Sequence, residues 1–183
     1  MGCDIHLKTF IFSKTEKRMV PLDGCLTDSR YASIPCIVGE RNYDLFGLFG
    51  NDVRSNYPEL DCLNEGFPEF LKDSTVLNIQ DNVDNHTRRW CWIWELKKSL
   101  KEYYERLMDP RKWYEWDEDE NSYAAMVLNG NIDLVKYREH HAPLALSIQE
   151  ILKKIDKLER MFGSERNEYV DGELIMFVTW MNN

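Results

Sequence analysis

The sequence predicts an α+β domain: a small antiparallel or mixed sheet from an N-terminal hairpin and a C-terminal strand, with helices packed on one face. Three observations carry this. The opening Met1-Gly2-Cys3-Asp4-Ile5-His6-Leu7-Lys8 alternates, with Cys3, Ile5 and Leu7 on one side and Asp4, His6 and Lys8 on the other, the period of a half-buried strand. Two later stretches repeat apolar residues at helical spacing. Near the C-terminus, Leu174-Ile175-Met176-Phe177-Val178 is a continuous apolar run, as in a strand buried on both faces.

Taken in order, Thr9–Phe12 extends the first strand, Ser13–Lys17 reads as a polar turn and Arg18–Leu22 as the returning strand. Gly24, Pro35 and Gly39 break any long element between Asp23 and Glu40, leaving a loop with at most a short strand at Ile34–Val38. Asn42 or Asp44 can cap a short helix packed through Leu45, Phe46, Leu48 and Phe49 and ending near Gly50. Gly66-Phe67-Pro68 suggests a turn into one helical turn, and Asp81–Arg89 a polar exposed loop.

From Trp90 to Met108, the residues Trp92, Leu96, Leu100, Tyr103 and Leu107 form an amphipathic stripe that Asp109-Pro110 stops. Trp113–Glu120 joins aromatics to acids and reads as a solvated connection or interface patch. Short helices follow over Tyr123–Leu128 and Ile132–Glu139. Pro143 then starts a long helix with Leu144, Ile148, Ile151, Ile155, Leu158 and Phe162 on one stripe and Gly163 as its C-cap. His140-His141 falls in the connection before it. Tyr169-Val170, the turn pair Asp171-Gly172 and Glu173–Met181 read as a hairpin whose long arm can pair with the first strand.

Length and composition fit one domain over 1–183, with 43% hydrophobic, 13% aromatic and 30% charged residues. A net charge of −9 disfavours polymeric nucleic acid and anionic membranes, while leaving room for a small anion in a local Arg pocket. The five Cys form no CxxC pair, which fits reduced thiols in a cytosol. No apolar run reaches the ~20 residues of a membrane span.

Three constellations can carry chemistry. Asp4 and His6, two apart on one strand face, can orient one another, share a metal or bind a ligand, or serve as a structural pair. Arg41-Asn42-Tyr43-Asp44 with Arg54 combines an Arg fork for phosphate with a ring to stack on a base, against the alternative of a capped helix with internal ion pairs. His86-Thr87-Arg88-Arg89-Trp90 is locally basic and aromatic at the head of a helix, where N–H groups favour anions, against an exposed loop before a core Trp. The sequence has no P-loop, dinucleotide loop, HxH, HExxH or CxxC, so no cofactor or metal is expected.

The opening Met-Gly-Cys-Asp-Ile-His, the block Arg41-Asn42-Tyr43-Asp44-Leu45-Phe46-Gly47 with Val53-Arg54, Gly66-Phe67-Pro68 and the His86 loop before Trp90 resemble a family of small bacteriophage proteins. The likeness covers the first half of the chain. Phe67 stands where Leu is expected, and His86 lacks a second His nearby. The resemblance implies a phage anti-defence protein of the anti-CBASS or anti-Thoeris type, acting in the host cell cytoplasm. Such a sponge sequesters a cyclic dinucleotide or cyclic ADP-ribose relative without cleaving it, usually as a homo-oligomer.

The expected ligand-binding set is therefore Asp4, His6, Arg41, Asn42, Tyr43, Asp44, Arg54, His86, Arg88, Arg89 and Trp90, with no catalytic residue. Two other readings stand beside it. One is a phosphodiesterase-like hydrolase using Asp4, His6 and His86; the other is an acidic inhibitor of a host factor acting through Trp113–Glu120.

Overall fold

A computed structural model describes the backbone of residues 4–22, 43–50, 55–68, 85–163 and 169–182, and the side chains of 8–22, 44–50, 55–68, 87–163 and 169–179. The expected loop Asp23–Glu40, Arg41, Asn42, Arg54 and the helical turn after Pro68 lie outside the described residues.

The expected sheet is present and wholly antiparallel. Strands β1 (Asp4–Ser13), β2 (Arg18–Pro21), β3 (Asn64–Glu65), β4 (Asn85–Trp92) and β5 (Val170–Asn182) stand in the order β2-β1-β5-β4-β3. The first and last strands pair along their length, from Asp4 opposite Asn182 to Ser13 opposite Val170. Five helices accompany them among the described residues: α1 (Tyr43–Gly50), α2 (Ile93–Leu107), α3 (Pro110–Asp117), α4 (Tyr123–Leu128) and α5 (Leu134–Phe162). Together they form the α+β architecture read from the sequence.

Alternation decides what each sheet face meets. Ile11, Ile175, Phe177 and Cys91 belong to one core with Leu45, Leu48 and Phe49 of α1 and the stripes of α2 and α5. Their neighbours Phe10, Met176 and Val178 join Met19 and Phe67 in a smaller cluster, flanked by Phe12, Trp90 and Trp92. The helical core thus lies on one face and an aromatic cluster on the other. Thr179 is buried at the first of these faces and donates from Oγ1 to the Phe49 carbonyl at 2.9 Å, tying α1 to the central strand.

Two glycines mark where backbones touch. A Cβ on Gly47 would overlap the Ser55 side chain and the Tyr57 carbonyl, so α1 lies directly against the 55–57 segment. A Cβ on Gly172 would overlap the Phe162 carbonyl at the end of α5.

Four elements differ from the sequence reading. Pro110–Asp117 is helix α3, capped by Asp109, where Trp113–Glu120 reads as a solvated connection or interface patch. Asp171-Gly172 does not turn a hairpin: β5 runs straight through, and the β1 pairing jumps from Ile175 to Asp171 in an irregularity between Ile11 and Phe12. The expected polar loop of 81–89 is, from Asn85, strand β4, held by β5 on one side and β3 on the other. The helix expected to begin at Pro143 begins at Leu134 and runs through that proline for 29 residues.

Pro143 removes one helical N–H bond, at a cost of about 3 kcal/mol in a helix interior. Packing upstream of it offsets this. Asp133 caps the helix by accepting from Lys136 N at 2.9 Å, and Tyr137 and His141 are buried on the same stripe as Leu144 and Ile148. Tyr137 also donates to the Leu107 carbonyl at 2.9 Å, fixing the first half of α5 to the end of α2.

Candidate functional site

The strand pairings bring two of the three constellations to one end of the sheet. Asp4, Asn182 and Asn85 stand in register across β1, β5 and β4, and His6 stands opposite Trp180. His86 is in register with Met181, which faces Ile5 on the other side; its position is therefore in step with Ile5 and out of step with Asp4 and His6. The side chains of Asp4, His6, Tyr43 and His86 lie outside the described residues.

Between His86 and Arg89 the β4–β5 register shifts, and Thr87 takes φ 51°. A β-branched residue in that left-handed region costs on the order of 1–3 kcal/mol and is held only where its surroundings demand it. This kink separates the His86 position from the regular part of β4.

The two arginines beyond the kink have different settings. Arg89 is mostly buried and donates from Nε to Glu59 at 2.7 Å, from a terminal nitrogen to the other Glu59 oxygen at 3.5 Å, and from Nη1 to the Arg88 carbonyl at 3.0 Å. Glu65 adds a carboxylate 3.8 Å away. Its fork is thus filled by this chain's own acids, and Arg89 fastens the 59–65 segment to β4. The Arg88 guanidinium sits 5.3 Å from the centroid of the Phe67 ring, in cation–π contact. Trp90 is half-buried beside Trp92, edge to face at 6.0 Å.

Arg88 and Arg89 lie on the strand, and the helix head that follows them already has an anion. The Glu95 carboxylate accepts from Trp92 N at 3.1 Å at the start of α2, satisfying one of the orphan donors there.

Asp44 belongs to a different neighbourhood. Burial pushes its carboxyl up, opposed by the charge of His140, and its own charge acts on Tyr57 and Tyr103. These residues surround an aromatic cluster that sequence reasoning passed over. The Tyr57 hydroxyl and His141 Nδ1 share a hydrogen bond at 3.0 Å, and burial raises the Tyr57 phenol and keeps it protonated. The other ring nitrogen, Nε2, is buried and has no hydrogen-bond partner.

Rings enclose it instead: Tyr137 at 4.4 Å, Trp113 at 5.7 Å and Tyr57 at 5.8 Å between centroids. His140, next in sequence, is exposed and stacks flat on Tyr123 at 3.8 Å. Burial, and next the His140 charge, lower the His141 pKa to about 4. His141 is therefore a neutral core histidine at ordinary pH, with its Nε2 buried. The signal for it was the i, i+4 spacing of Tyr137 and His141 ahead of Leu144.

The acidic aromatic run is divided by α3. Trp113 is buried against Tyr103 and Trp116, while Glu118, Asp119 and Glu120 are exposed after the helix. A cleft of about 550 Å³ opens elsewhere, between the start of α2 and the bulged part of β5, lined by Trp94, Glu159, Glu173 and Leu174 among others. Its two carboxylates suit an anionic ligand poorly.

Among the described residues, no group of three His, Cys, Asp or Glu is placed to hold a metal, and no helix is long and apolar enough to cross a membrane. Comparison with known proteins finds no matching family model, no similar curated protein and no similar solved structure.

Proposed function

We propose that this chain is a phage anti-defence protein that binds and sequesters a small anionic nucleotide, of the cyclic dinucleotide or cyclic ADP-ribose type, without cleaving it. The observation that supports the reading is the convergence at one end of the sheet. The Asp4/His6 row and the strained His86–Trp90 segment flank the same stretch of β5, although 79 residues lie between His6 and His86 in sequence. A binder of this kind needs phosphate donors, rings and a rigid frame, but no nucleophile. Arg88, braced on Phe67, and Trp90 are the described side chains of the suitable types. Arg89 acts as part of the frame.

Such a sponge works in the host cytoplasm as a homo-oligomer. The hydrolase reading, with Asp4, His6 and His86 as one catalytic group, draws less support, because His86 is out of step with the other two positions.

The test is to incubate the protein with cyclic dinucleotides and with cyclic ADP-ribose, measure its melting temperature, then denature it and analyse the released nucleotide. A ligand at about 100 times its Kd adds about 2.7 kcal/mol of apparent stability, so binding raises the melting temperature and intact nucleotide is recovered. Arg88→Ala reduces that shift. If no nucleotide raises the melting temperature, the reading fails; cleaved nucleotide moves the assignment to hydrolysis.

A further inference from the structure

The cleft of about 550 Å³ lies by the start of β5, at the opposite end of that strand from Asn182 and so away from the site proposed above. Three elements wall it. The first turn of α2 brings buried Ile93 and Trp94, whose indole is 56% exposed. Strand β5 brings Glu173 and Leu174, both exposed, and the end of α5 brings Glu159 and Gly163.

The charge in the cleft has one sign. No Lys or Arg is among its described lining residues. Glu173 N donates to the Asp171 carboxylate at 3.1 Å, but the Glu173 carboxylate itself has no ion pair among the described residues. Glu159 receives Lys97 on Oε2, and Lys97 also reaches Asp156 at 2.8 Å; Oε1 of Glu159 remains as a further acceptor.

Two helix ends of opposite polarity meet here. The head of α2 favours an anion and already has one in Glu95, which accepts from Trp92 N at 3.1 Å. The tail of α5 favours a cation. Gly163 there takes φ −52° and ψ 136°, so no left-handed cap folds back over the last carbonyls of the helix.

We propose that this cleft binds an alkylammonium group, a protonated primary amine on an alkyl stem, with Glu173 as its counter-ion and Trp94 and Leu174 against the stem. An ammonium has three N–H donors for the carboxylate oxygens, and a cation over an indole face is attracted by the ring. A hydrated metal ion gains nothing from Trp94 or Leu174, and a wholly apolar ligand leaves the carboxylates unused. An alkylammonium uses both. A free polyamine and a lysine side chain of another protein offer this same chemistry.

The experiment titrates the isotope-labelled full-length protein, at constant ionic strength, with cadaverine, with N-acetyl-lysine methylamide and with n-pentanol. NMR follows the Trp94 indole N–H, assigned by its loss in Trp94→Phe, and the Leu174 amide. The expected result is a saturable shift of both signals with an amine and none with pentanol. Glu173→Gln weakens amine binding about tenfold and Trp94→Ala about two- to fivefold, the latter read from Leu174. An unchanged melting temperature shows that Glu173→Gln keeps the fold. Tighter binding of cadaverine assigns a free polyamine, and equal binding of the lysine analogue assigns a lysine side chain. The proposal is overturned if neither amine shifts the signals, if pentanol shifts them equally, or if Glu173→Gln binds the amines as the wild type does, which marks a response to the net charge alone.

Discussion

Acid should unfold this protein through His141. Its imidazole is held at about 4 against an ordinary value near 6.5, because the ring is only 4% exposed and His140 adds a like charge. Between those two values the unfolded chain binds a proton that the folded chain refuses. Stability is therefore fully present above about pH 6.5 and is lost as pH falls towards 4. A difference of that size corresponds to about 3 kcal/mol, a large fraction of the 5–15 kcal/mol typical of a domain.

The assay is urea unfolding at a series of pH values between 7.5 and 4.5, for the wild type and for His141→Gln, which keeps a polar partner for the Tyr57 hydroxyl. Asp44 and Asp117, whose carboxyls burial raises, contribute in the opposite direction, with stability present at low pH and lost as pH rises. Subtracting the variant removes these shared terms. The wild type should lose about 3 kcal/mol more than the variant over the range. Parallel pH profiles, or an NMR titration of the His141 ring near 6.5, would refute the account of a buried, neutral histidine.

Arg89→Ala should cost about 1–3 kcal/mol in the same unfolding assay, because it leaves the mostly buried Glu59 carboxylate without its fork; an unchanged midpoint would show that pair to be incidental. Glu118, the C-cap of α3 at φ 53°, should gain about 0.5–1 kcal/mol on replacement by Gly, read as a higher melting temperature. Gly172→Ala should lose at least about 1–3 kcal/mol, since the new methyl overlaps the Phe162 carbonyl and either α5 or β5 has to move. A silent Gly172→Ala would mean that the helix end and the bulge do not meet as described.

The sequence exposed elements wherever one periodicity dominated. Alternation over residues 3–8, extended by Thr9–Phe12, identified β1, and the stripes Leu96–Leu100–Tyr103–Leu107 and Leu144–Ile148–Ile151–Ile155 identified the core helices because each faces one apolar partner. Strand β4 escaped because its first five residues, Asn85 to Arg89, are polar and carry no alternation. They are strand because neighbours on both sides pair with them and Glu59 neutralises Arg89, and both of these are long-range facts. Pro143 concealed the helix through it, as tertiary anchoring of Tyr137 overrides a local penalty that a sequence reader takes at face value. In the candidate site, the residue types were legible but their company was not: Arg89 reads as a phosphate fork until its own acids are seen to fill it. The tandem His140-His141 looks like a connector until their helix turns one ring to solvent and the other inward.

The sheet order has a kinetic consequence. Its middle strand is β5, and β1 and β4 meet only through it. On a ribosome, α2 and α5 can form from neighbouring residues in microseconds. The hairpin of β1 and β2, however, waits for more than 140 further residues before its partner is made. Until residues 170–182 emerge, β1 and β4 each present an open edge, that of β1 carrying Phe10, Ile11 and Phe12. Completion of the sheet is then a single late event of high contact order, and slow folding with a need for protection of those edges follows from it. A chain cut before β5 should be recovered as aggregate rather than as a smaller folded domain.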